Sequence, residues 1–437
     1  MHVLFVHQNF PAQFGHIARH LIRSHGFQCS FVSELPPGVF DGVRRFQYRP
    51  QGGATEHNHY FTRSFENAVA HAQGVYEACR RQPDLRPDLI VGHSGFGSTL
   101  FLRELYDCPI INYFEYFYRP HDSDMDFRPE FRAAEIDILR CYCRNAMFLL
   151  DLENCDAGYS PTHWQRSTLP AAYAPKVEVI FDGIETEIWH RHEGLPRRIG
   201  AREIPPDTRI VTYVSRGFEA IRGFDIFMKV ARRIYRRMPN VVFAVVGTDR
   251  IAYGGDLKFI KEKSFREYVL KQDHYDLSRF LFLGYVPPAQ LARLLSISDL
   301  HIYLTADFIL SWSAFNALAC GCTVLASDTA PVRELIRHED NGLLAEFYDV
   351  EGLADWALRV LRDPEAYRPL GQAGMDLITE QYSLSRCLPQ MLDFYRRVVN
   401  RSPRLYDEVP PPPLPSGRPA SPKALGPQPA RAPLGTR

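Results

Sequence analysis

Short apolar runs alternate with segments of helical periodicity along the first 190 residues of the chain. Residues 3–6, 89–91 and 110–113 are apolar runs with the length of a buried strand. Between these runs, apolar side chains recur every three or four residues, which predicts amphipathic helices. The predicted helices are residues 14–24, 65–81, 99–106 and 131–144. This alternation favours a parallel sheet with helices on both faces.

The second half of the chain repeats the pattern. Strand-like runs at residues 209–214, 241–246 and 300–304 are separated by helical segments, the longest of which is residues 224–237. Glycine and proline residues between positions 185 and 207 mark a boundary between the two halves. The sequence therefore predicts an α/β fold of two Rossmann-like domains whose parallel sheets face each other across a cleft.

The predicted domains are residues 1–190 and 191–383, and a last helix at 384–400 follows them. Composition then changes, because residues 401–437 are rich in proline and poor in large apolar side chains. We expect a disordered tail there. Its proline tract at 410–415 could dock into an aromatic groove, although an inert solvated tail is the more common case.

Composition narrows the class of protein. The 437 residues carry 51 basic and 51 acidic side chains, so no overall field attracts nucleic acid. No apolar run is long enough to predict a membrane-spanning helix, and the N-terminus reads as a strand rather than a signal peptide. The nine cysteines lack the spacing of common zinc or redox motifs and are expected to be free thiols. These features indicate a cytoplasmic protein.

A strand–loop–helix unit in the second half carries the clearest functional signal. The strand at 300–304 leads into a hydroxyl-rich loop at 305–313 and a short helix at 314–320. The first backbone N–H groups of a helix and its positive dipole end favour a phosphate. At the carboxyl edge of a parallel sheet, such a unit is suited to a phosphorylated ligand.

Motifs in and after this unit resemble the donor site of family 4 glycosyltransferases. The resemblance rests on Leu-Ser-Trp-Ser-Ala-Phe-Asn-Ala-Leu-Ala-Cys-Gly at 310–321, Ser-Asp-Thr-Ala-Pro-Val-Arg-Glu at 327–334 and Asn-Gly-Leu-Leu at 341–344. The runs at 113–120 and 160–165 are similar to a bacterial subgroup of that family with the Leu-Ser-Trp-Ser donor loop.

The resemblance implies a retaining enzyme of the GT-B fold. In such an enzyme the N-terminal domain binds the acceptor and the C-terminal domain binds the nucleotide-sugar. The helix at 384–400 would cross back to the N-terminal domain and permit hinge closure.

Two arginines bracket the turn that follows the strand at 209–214. Planar guanidinium groups match the oxygen atoms of phosphates. In the family an arginine and a lysine hold the donor diphosphate at this turn, and the resemblance assigns these places to Arg216 and Arg222. The alternative is a pair of surface arginines bonded to Glu219 or Asp225.

The resemblance also implies the remaining donor contacts. Ser311 or Ser313 is expected to cap the helix, with the backbone of this loop facing the donor phosphates. The family's paired glutamates align with Phe308 and Asn316; Asp307 is the nearest acid to the first, and Asn316 can still bond to ribose hydroxyls. The residues assigned to the donor are Arg216, Arg222, Leu310, Ser311, Trp312, Ser313, Asn316 and Glu334.

Three residues are assigned to chemistry or to the acceptor in the N-terminal half. His93 follows a strand at the carboxyl edge of the sheet and is, with Asp307, the candidate catalytic residue, although a structural histidine is equally consistent with the sequence. Glu115 touches the acceptor or anchors its loop, and we favour the second. Gly15 is the glycine retained in the acceptor-side loop.

No metal or other cofactor is expected. The acids Asp122, Asp124 and Asp126 could suggest a metal, but three acids in a loop are usually solvated. In the GT-B fold, cations and a helix terminus neutralise the leaving diphosphate instead.

The sequence thus predicts transfer of a hexosyl group from a nucleotide-sugar with retention of configuration. The acceptor is left open between a saccharide, a lipid-linked molecule and a protein. Peripheral contact with a membrane is compatible with the sequence, but no strongly amphipathic helix supports it. The alternatives are a non-catalytic protein of the same fold that binds a nucleotide-sugar or a partner protein, and a nucleotide-sugar epimerase.

Overall fold

Two mainly parallel sheets form the framework of the chain, one in each half. The computed structural model describes residues 1–401, which form one unit. Apart from Arg401, the tail predicted at 401–437 lies outside the described residues.

The N-terminal half contains one eight-stranded sheet. Its strands are β1 (His2–Val6), β2 (Gln28–Ser33), β3 (Gly38–Phe40), β4 (Val43–Gln47), β5 (Leu89–His93), β6 (Ile110–Tyr113), β7 (Ala157–Ser160) and β8 (Val177–Val179). Their spatial order is β3-β4-β2-β1-β5-β6-β7-β8, and all neighbours are parallel except β3 and β4. The helices of this half are α1 (Gly15–His25), α2 (Arg63–Arg80), α3 (Glu135–Arg144), α4 (Ala146–Asn154) and α5 (His163–Ser167).

The C-terminal half contains a six-stranded parallel sheet and a short antiparallel hairpin. The hairpin strands are β9 (Arg198–Ile199) and β10 (Arg202–Glu203); the sheet strands are β11 (Arg209–Gly217), β12 (Val241–Thr248), β13 (Phe280–Gly284), β14 (Leu300–Tyr303), β15 (Val324–Ser327) and β16 (Leu343–Ala345). The spatial order of the sheet is β13-β12-β11-β14-β15-β16. The helices are α6 (Phe224–Arg237), α7 (Phe265–Gln272), α8 (Pro288–Ser296), α9 (Trp312–Ala319), α10 (Ala330–Leu335), α11 (Val350–Arg362), α12 (Pro364–Leu377) and α13 (Leu384–Arg401).

Both sheets are covered on two faces, as the apolar pattern requires. In β1, Val3 and Phe5 face the layer that contains α1 and α13, whereas Leu4 and Val6 face the layer that contains α2. In the C-terminal half, α6 and α11 cover one face and α8 and α9 cover the other. The predicted α/β fold of two Rossmann-like domains is confirmed.

Helix α13 packs on the N-terminal sheet although it follows the C-terminal half. Met391, Phe394 and Tyr395 are buried in the same cluster as the strands β1 and β5. At the outer side, the Arg397 guanidinium donates to both carboxylate oxygens of Glu178 in β8 at 2.8 Å. The last helix therefore belongs to the core of the first half.

The prediction of a helix at 99–106 is wrong. The structure has only one 3₁₀ turn in this segment, at Leu102–Glu104. Gly97 has a positive φ of 69° and lies so close to α2 that a Cβ atom would be 2.2 Å from the Ala68 carbonyl oxygen. The chain therefore turns closely around α2 just before the predicted helix. The helix predicted at 131–144 begins only at Glu135, because the residues before it pack against the C-terminal half.

Candidate functional site

The turn between β11 and α6 holds two arginines in different surroundings. Arg222 is 5% exposed, and its Nη1 donates to the Thr305 hydroxyl at 2.8 Å, to the Ile309 carbonyl at 3.0 Å and, more weakly, to the Tyr303 hydroxyl at 3.5 Å. None of these partners carries a negative charge. Arg216 is exposed, with Nη1 3.4 Å from the hydroxyl of Tyr253.

The acids near this turn are bonded elsewhere. One oxygen of the buried Glu219 carboxylate accepts three backbone N–H groups, from Ala252, Tyr253 and Gly254, at 3.0–3.1 Å. Asp225 accepts two hydrogen bonds from Arg128. The alternative in which Arg216 and Arg222 pair with these two acids is therefore not what the structure contains.

Helix α9 begins beside Arg222 at the carboxyl edge of the sheet. It begins two residues before the predicted start, because the Ser311 hydroxyl accepts the backbone N–H of Ser313 and caps it. The backbone N–H of Ser311 donates to the Tyr303 hydroxyl at 2.9 Å. Two of the N–H groups expected to face phosphates are thus engaged within the protein, and a ligand would have to replace these bonds.

Phe308 occupies the space between the two halves of the site. Its ring lies 4.9 Å from the ring of Tyr116 in the N-terminal half and 5.5 Å from that of Tyr253. The Arg222 guanidinium is 5.5 Å from the Phe308 ring centroid. The cavity lined by Arg216, Arg222 and the first residues of α9 measures only about 20 Å³. This conformation leaves room for about one water molecule.

The other donor candidates, on α9 and just before it, differ in surroundings. Leu310 packs in the apolar core. Trp312 is 39% exposed and contacts the His16 ring edge-on at 6.2 Å, so it faces the N-terminal half. Asn316 is 8% exposed, and its Oδ1 is buried without a hydrogen-bond partner among the described residues. A buried acceptor of this kind indicates a place for a ligand or water.

Asp307 and Glu334 already have protein partners. Asp307 accepts the backbone N–H of Ala330 at 3.0 Å, and burial raises the pKa of its carboxyl. Glu334 accepts the N–H groups of His163 and Trp164 at 2.7 and 2.8 Å, which caps α5 in the other half. Glu334 thus forms a bond between the halves, and its expected donor contact stays a prediction.

A cavity of about 330 Å³ lies at the carboxyl edge of the N-terminal sheet. His93 lines it and is buried, with Nδ1 2.9 Å from the Ser94 carbonyl oxygen. Because a carbonyl only accepts, Nδ1 carries a proton in this hydrogen bond. The Glu115 carboxylate, which also lines the cavity, is 3.7 Å from Nε2. The structure thus brings His93 and Glu115 together.

The remaining predicted residues have structural surroundings. A Cβ atom at Gly15 would be 2.2 Å from Cβ of Pro11, so the turn into α1 requires glycine. Asp124 accepts the Tyr116 hydroxyl at 2.9 Å, and Asp126 accepts the backbone N–H groups of residues 122 and 123 at 3.0 Å. Within residues 1–401, no group of three or more His, Cys, Asp or Glu side chains is placed to hold a metal ion.

The sequence analysis assigned no role to two residues of the site region. Asp182, in the segment between the halves, is buried, and burial raises its pKa to about 7. The Tyr113 hydroxyl is 3.4 Å from its carboxylate, and Trp312 lies nearby. Arg128 reaches from the N-terminal half to Asp225. No local pattern predicts these contacts, because the partners are distant in sequence.

The helices of the described part offer no candidate for crossing a bilayer, since none combines the necessary length and apolar character.

Comparison with known proteins agrees with this geometry. Residues 25–189 match the model of the glycosyl transferase family 4 group, and residues 197–376 match that of the glycosyl transferases group 1. Among curated relatives, the N-acetyl-alpha-D-glucosaminyl L-malate synthase of Bacillus anthracis is 31% identical over 28% of this chain. The alpha-maltose-1-phosphate synthase of Mycolicibacterium smegmatis is 26% identical over 53%. The chain spans 31% and 59% of the length of these two relatives.

Solved structures share the whole fold. The sucrose-phosphate synthase of Thermosynechococcus elongatus aligns with a TM-score of 0.71 at 18% identity, covering 92% of this chain and all of that one. The HepE protein of Anabaena in complex with UDP-glucose aligns with a TM-score of 0.62 at 16% identity, covering 91% of this chain and all of that one. The two family models together span more than half of the chain, which thus belongs to the GT-B glycosyltransferases of the family 4 and group 1 type.

Proposed function

We propose that the protein is a retaining hexosyltransferase that uses a nucleotide-sugar bound at the C-terminal half. The observation that carries the proposal is the buried guanidinium of Arg222, whose hydrogen bonds all go to neutral oxygens. A buried cation is costly without a counter-ion, so the site is suited to an anionic ligand. Arg216 and the start of α9 lie beside it, which fits a diphosphate better than a single charge.

The proposed reaction joins this donor site to the N-terminal cavity. The bond between the anomeric carbon and the diphosphate breaks, the acceptor hydroxyl bonds to the same face of that carbon, and its proton passes to the departing phosphate oxygen. Arg216 and Arg222 stabilise the charge on the leaving diphosphate, so the reaction needs no metal. His93 accepts a hydrogen bond from the acceptor hydroxyl through Nε2, which orients it.

Asp307 and Asn316 have subsidiary parts in the proposal. Asp307 would exchange its bond to the Ala330 N–H for a contact with the transferred sugar. The unpartnered Oδ1 of Asn316 would accept a hydrogen bond from a ribose hydroxyl. Both changes require the cleft to rearrange when the donor enters.

The names of similar proteins support this class of activity. They include an N-acetylglucosaminyl malate synthase, a maltose-1-phosphate synthase and a structure that contains UDP-glucose. The free state of all nine cysteines supports a reducing, cytoplasmic location as part of the proposal.

Calorimetric titration with UDP-, GDP- and ADP-sugars tests the donor site. We expect one donor to bind saturably and Arg222→Ala to weaken it by about tenfold or more, because a charged hydrogen bond to the diphosphate is lost. Arg236→Ala, which changes an exposed arginine on the outer side of α6, is the matched control. Equal affinity in wild type and Arg222→Ala would refute the donor site, and proton NMR of the product's anomeric signal would test retention.

Phe308 favours a second candidate function. Its ring packs beside Arg222 and Tyr253, two residues that line the donor cavity, where the resemblance places an acid, so a non-catalytic protein that binds a nucleotide-sugar or a partner protein is consistent with the site. Saturable donor binding with neither hydrolysis nor transfer would establish this alternative. A labelled glycoside product would dismiss it.

A further inference from the structure

The cavity beside His93 has the features of a small-molecule site. Its volume of about 330 Å³ suits a ligand of roughly monosaccharide size. The rings of Phe96, Tyr116, Tyr118 and Phe148 line it together with a few polar side chains. These polar groups indicate what kind of ligand the cavity takes.

One face of helix α2 presents polar side chains to the cavity. Ser64, Asn67 and His71 follow one another at three- and four-residue spacing and all line it. Oδ1 of Asn67 accepts the backbone N–H of Ala54 at 2.7 Å, so its Nδ2 group is left as a donor. Nδ1 of His71 is 2.9 Å from the Tyr48 hydroxyl, so its Nε2 is left for a ligand. An inward helix face is ordinarily apolar, and this one therefore points to a polar ligand.

Arg144 adds a positive charge to the lining of the same cavity. Its guanidinium lies 3.5 Å from the ring centroid of Tyr118 and donates to the Tyr118 hydroxyl at 2.7 Å. Asn145 holds the Tyr118 backbone with bonds of 3.0 and 2.7 Å. Burial raises the pKa of the Tyr118 phenol, so the hydroxyl stays neutral. The Arg144 charge is therefore held in place without being cancelled by this bond.

Glu115 restricts where an anion can lie in the cavity. Its carboxylate faces His93 and repels a negative group, whereas a hydroxyl can bond to either side chain. The charges of the cavity thus orient a ligand that has an anionic group and a free hydroxyl.

We infer that the acceptor is a small polyhydroxy molecule with an anionic substituent, a phosphate monoester or a carboxylate. The anion binds Arg144, Asn67 and His71, and a hydroxyl reaches His93. A guanidinium fork, an amide N–H₂ group and an imidazole N–H group form a suitable set for such an oxyanion. This inference rests on the proposed function, because it names the acceptor class of that reaction.

Calorimetric titration of the full chain with glucose, glucose 6-phosphate and glucuronate tests the inference. We expect at least one anionic sugar to bind about tenfold or more tightly than glucose, since a charged hydrogen bond is gained. The phosphate and carboxylate probes distinguish the two sources of the anion. Arg144→Gln should abolish the preference, and Arg144→Lys should retain part of it. Arg132→Gln, at an exposed arginine outside the cavity lining, is the matched control.

The outcomes separate this inference from the proposed function. Equal affinity for the three sugars, no binding of any of them, or a preference that survives Arg144→Gln would overturn the anionic acceptor. UDP affinity should be the same in wild type and Arg144→Gln. If UDP fails to bind the wild type while the anion preference persists, the donor site is refuted and the anion site stands.

Discussion

Arg128 joins the two halves of the molecule through a buried ion pair. Its side chain is 2% exposed, and it donates to both Asp225 oxygens at 3.1 and 2.8 Å and to the Ala220 carbonyl at 2.5 Å. Arg128 lies between β6 and α3, whereas Asp225 is in the first turn of α6. Ala220 belongs to the 3₁₀ turn that includes Arg222. The ion pair therefore both connects the halves and holds the proposed diphosphate turn.

Replacing Arg128 with methionine should cost much of the stability of the fold. The substitution keeps most of the apolar stem but leaves Asp225, whose side chain is 10% exposed, with only the more distant Lys229 ammonium at 3.9 Å. Removing one partner of a buried ion pair costs ~3–5 kcal/mol. Replacing both partners by apolar groups is often nearly neutral, so Arg128→Met with Asp225→Leu should recover most of the loss. The control Arg132→Met changes an exposed residue and should stay within ~0.5 kcal/mol.

Urea unfolding followed by tryptophan fluorescence measures these differences in unfolding free energy. Calorimetric titration of the same variants with UDP measures whether the proposed diphosphate turn still binds. We expect Arg128→Met to weaken UDP binding as well, because the Ala220 carbonyl loses its anchor. The reasoning fails if Arg128→Met costs no more than Arg132→Met. It also fails if the double variant is as unstable as the single one, since the cost would then come from lost packing.

Two further predictions concern the cleft. Phe308→Ala should tighten UDP binding in calorimetry, because it removes a buried ring whose centroid is 5.5 Å from the Arg222 guanidinium, beside a cavity of only about 20 Å³. Unchanged or weaker binding would contradict this reasoning. The second prediction concerns Asp182, whose pKa is raised by burial from 3.8 to about 7 in the folded state. The folded protein therefore keeps this proton to higher pH than the unfolded chain does. The stability that this proton contributes is complete below about pH 4 and is lost as the pH rises through about 7. Asp182→Asn should remove this loss of unfolding free energy, which amounts to at most ~4 kcal/mol. Urea midpoints measured between pH 4 and about 7 test this, and parallel curves for wild type and variant would contradict the prediction.

The fold could be predicted where the local pattern decides the structure. Helix α6 was predicted at 224–237 and is found at Phe224–Arg237, because its strong apolar periodicity corresponds to one buried face. The helix predicted at 99–106 failed for a reason outside the local pattern, since the chain there packs against the Ala68 backbone. Strand β4 was missed because only Val43 and Phe46 are buried, which is too few for an apolar run.

The candidate site could be predicted only where its residues are close in sequence. The turn with Arg216 and Arg222 and the donor loop are continuous segments, so their spacing was visible. The bond from Glu334 to the N–H groups of His163 and Trp164 joins positions about 170 residues apart. No spacing rule predicts such a contact, whereas the donor contact expected of Glu334 came from its place in a continuous motif and stays a prediction.

Three arginines show why contacts decide a role that residue type leaves open. Arg128 has its charge balanced by Asp225, so removing the guanidinium should weaken the fold. Arg222 is also buried but bonds to neutral oxygens, so its charge is available to an anionic ligand. Arg144 rests on a neutral tyrosine ring beside a cavity, which leaves its charge available at the surface of that cavity. The free-energy cost of burying a guanidinium in a low-dielectric site is smallest when a negative group is close. The absent counter-ion of the buried Arg222 therefore marks where an anionic ligand should bind, whereas the counter-ion already present at Arg128 marks a structural joint.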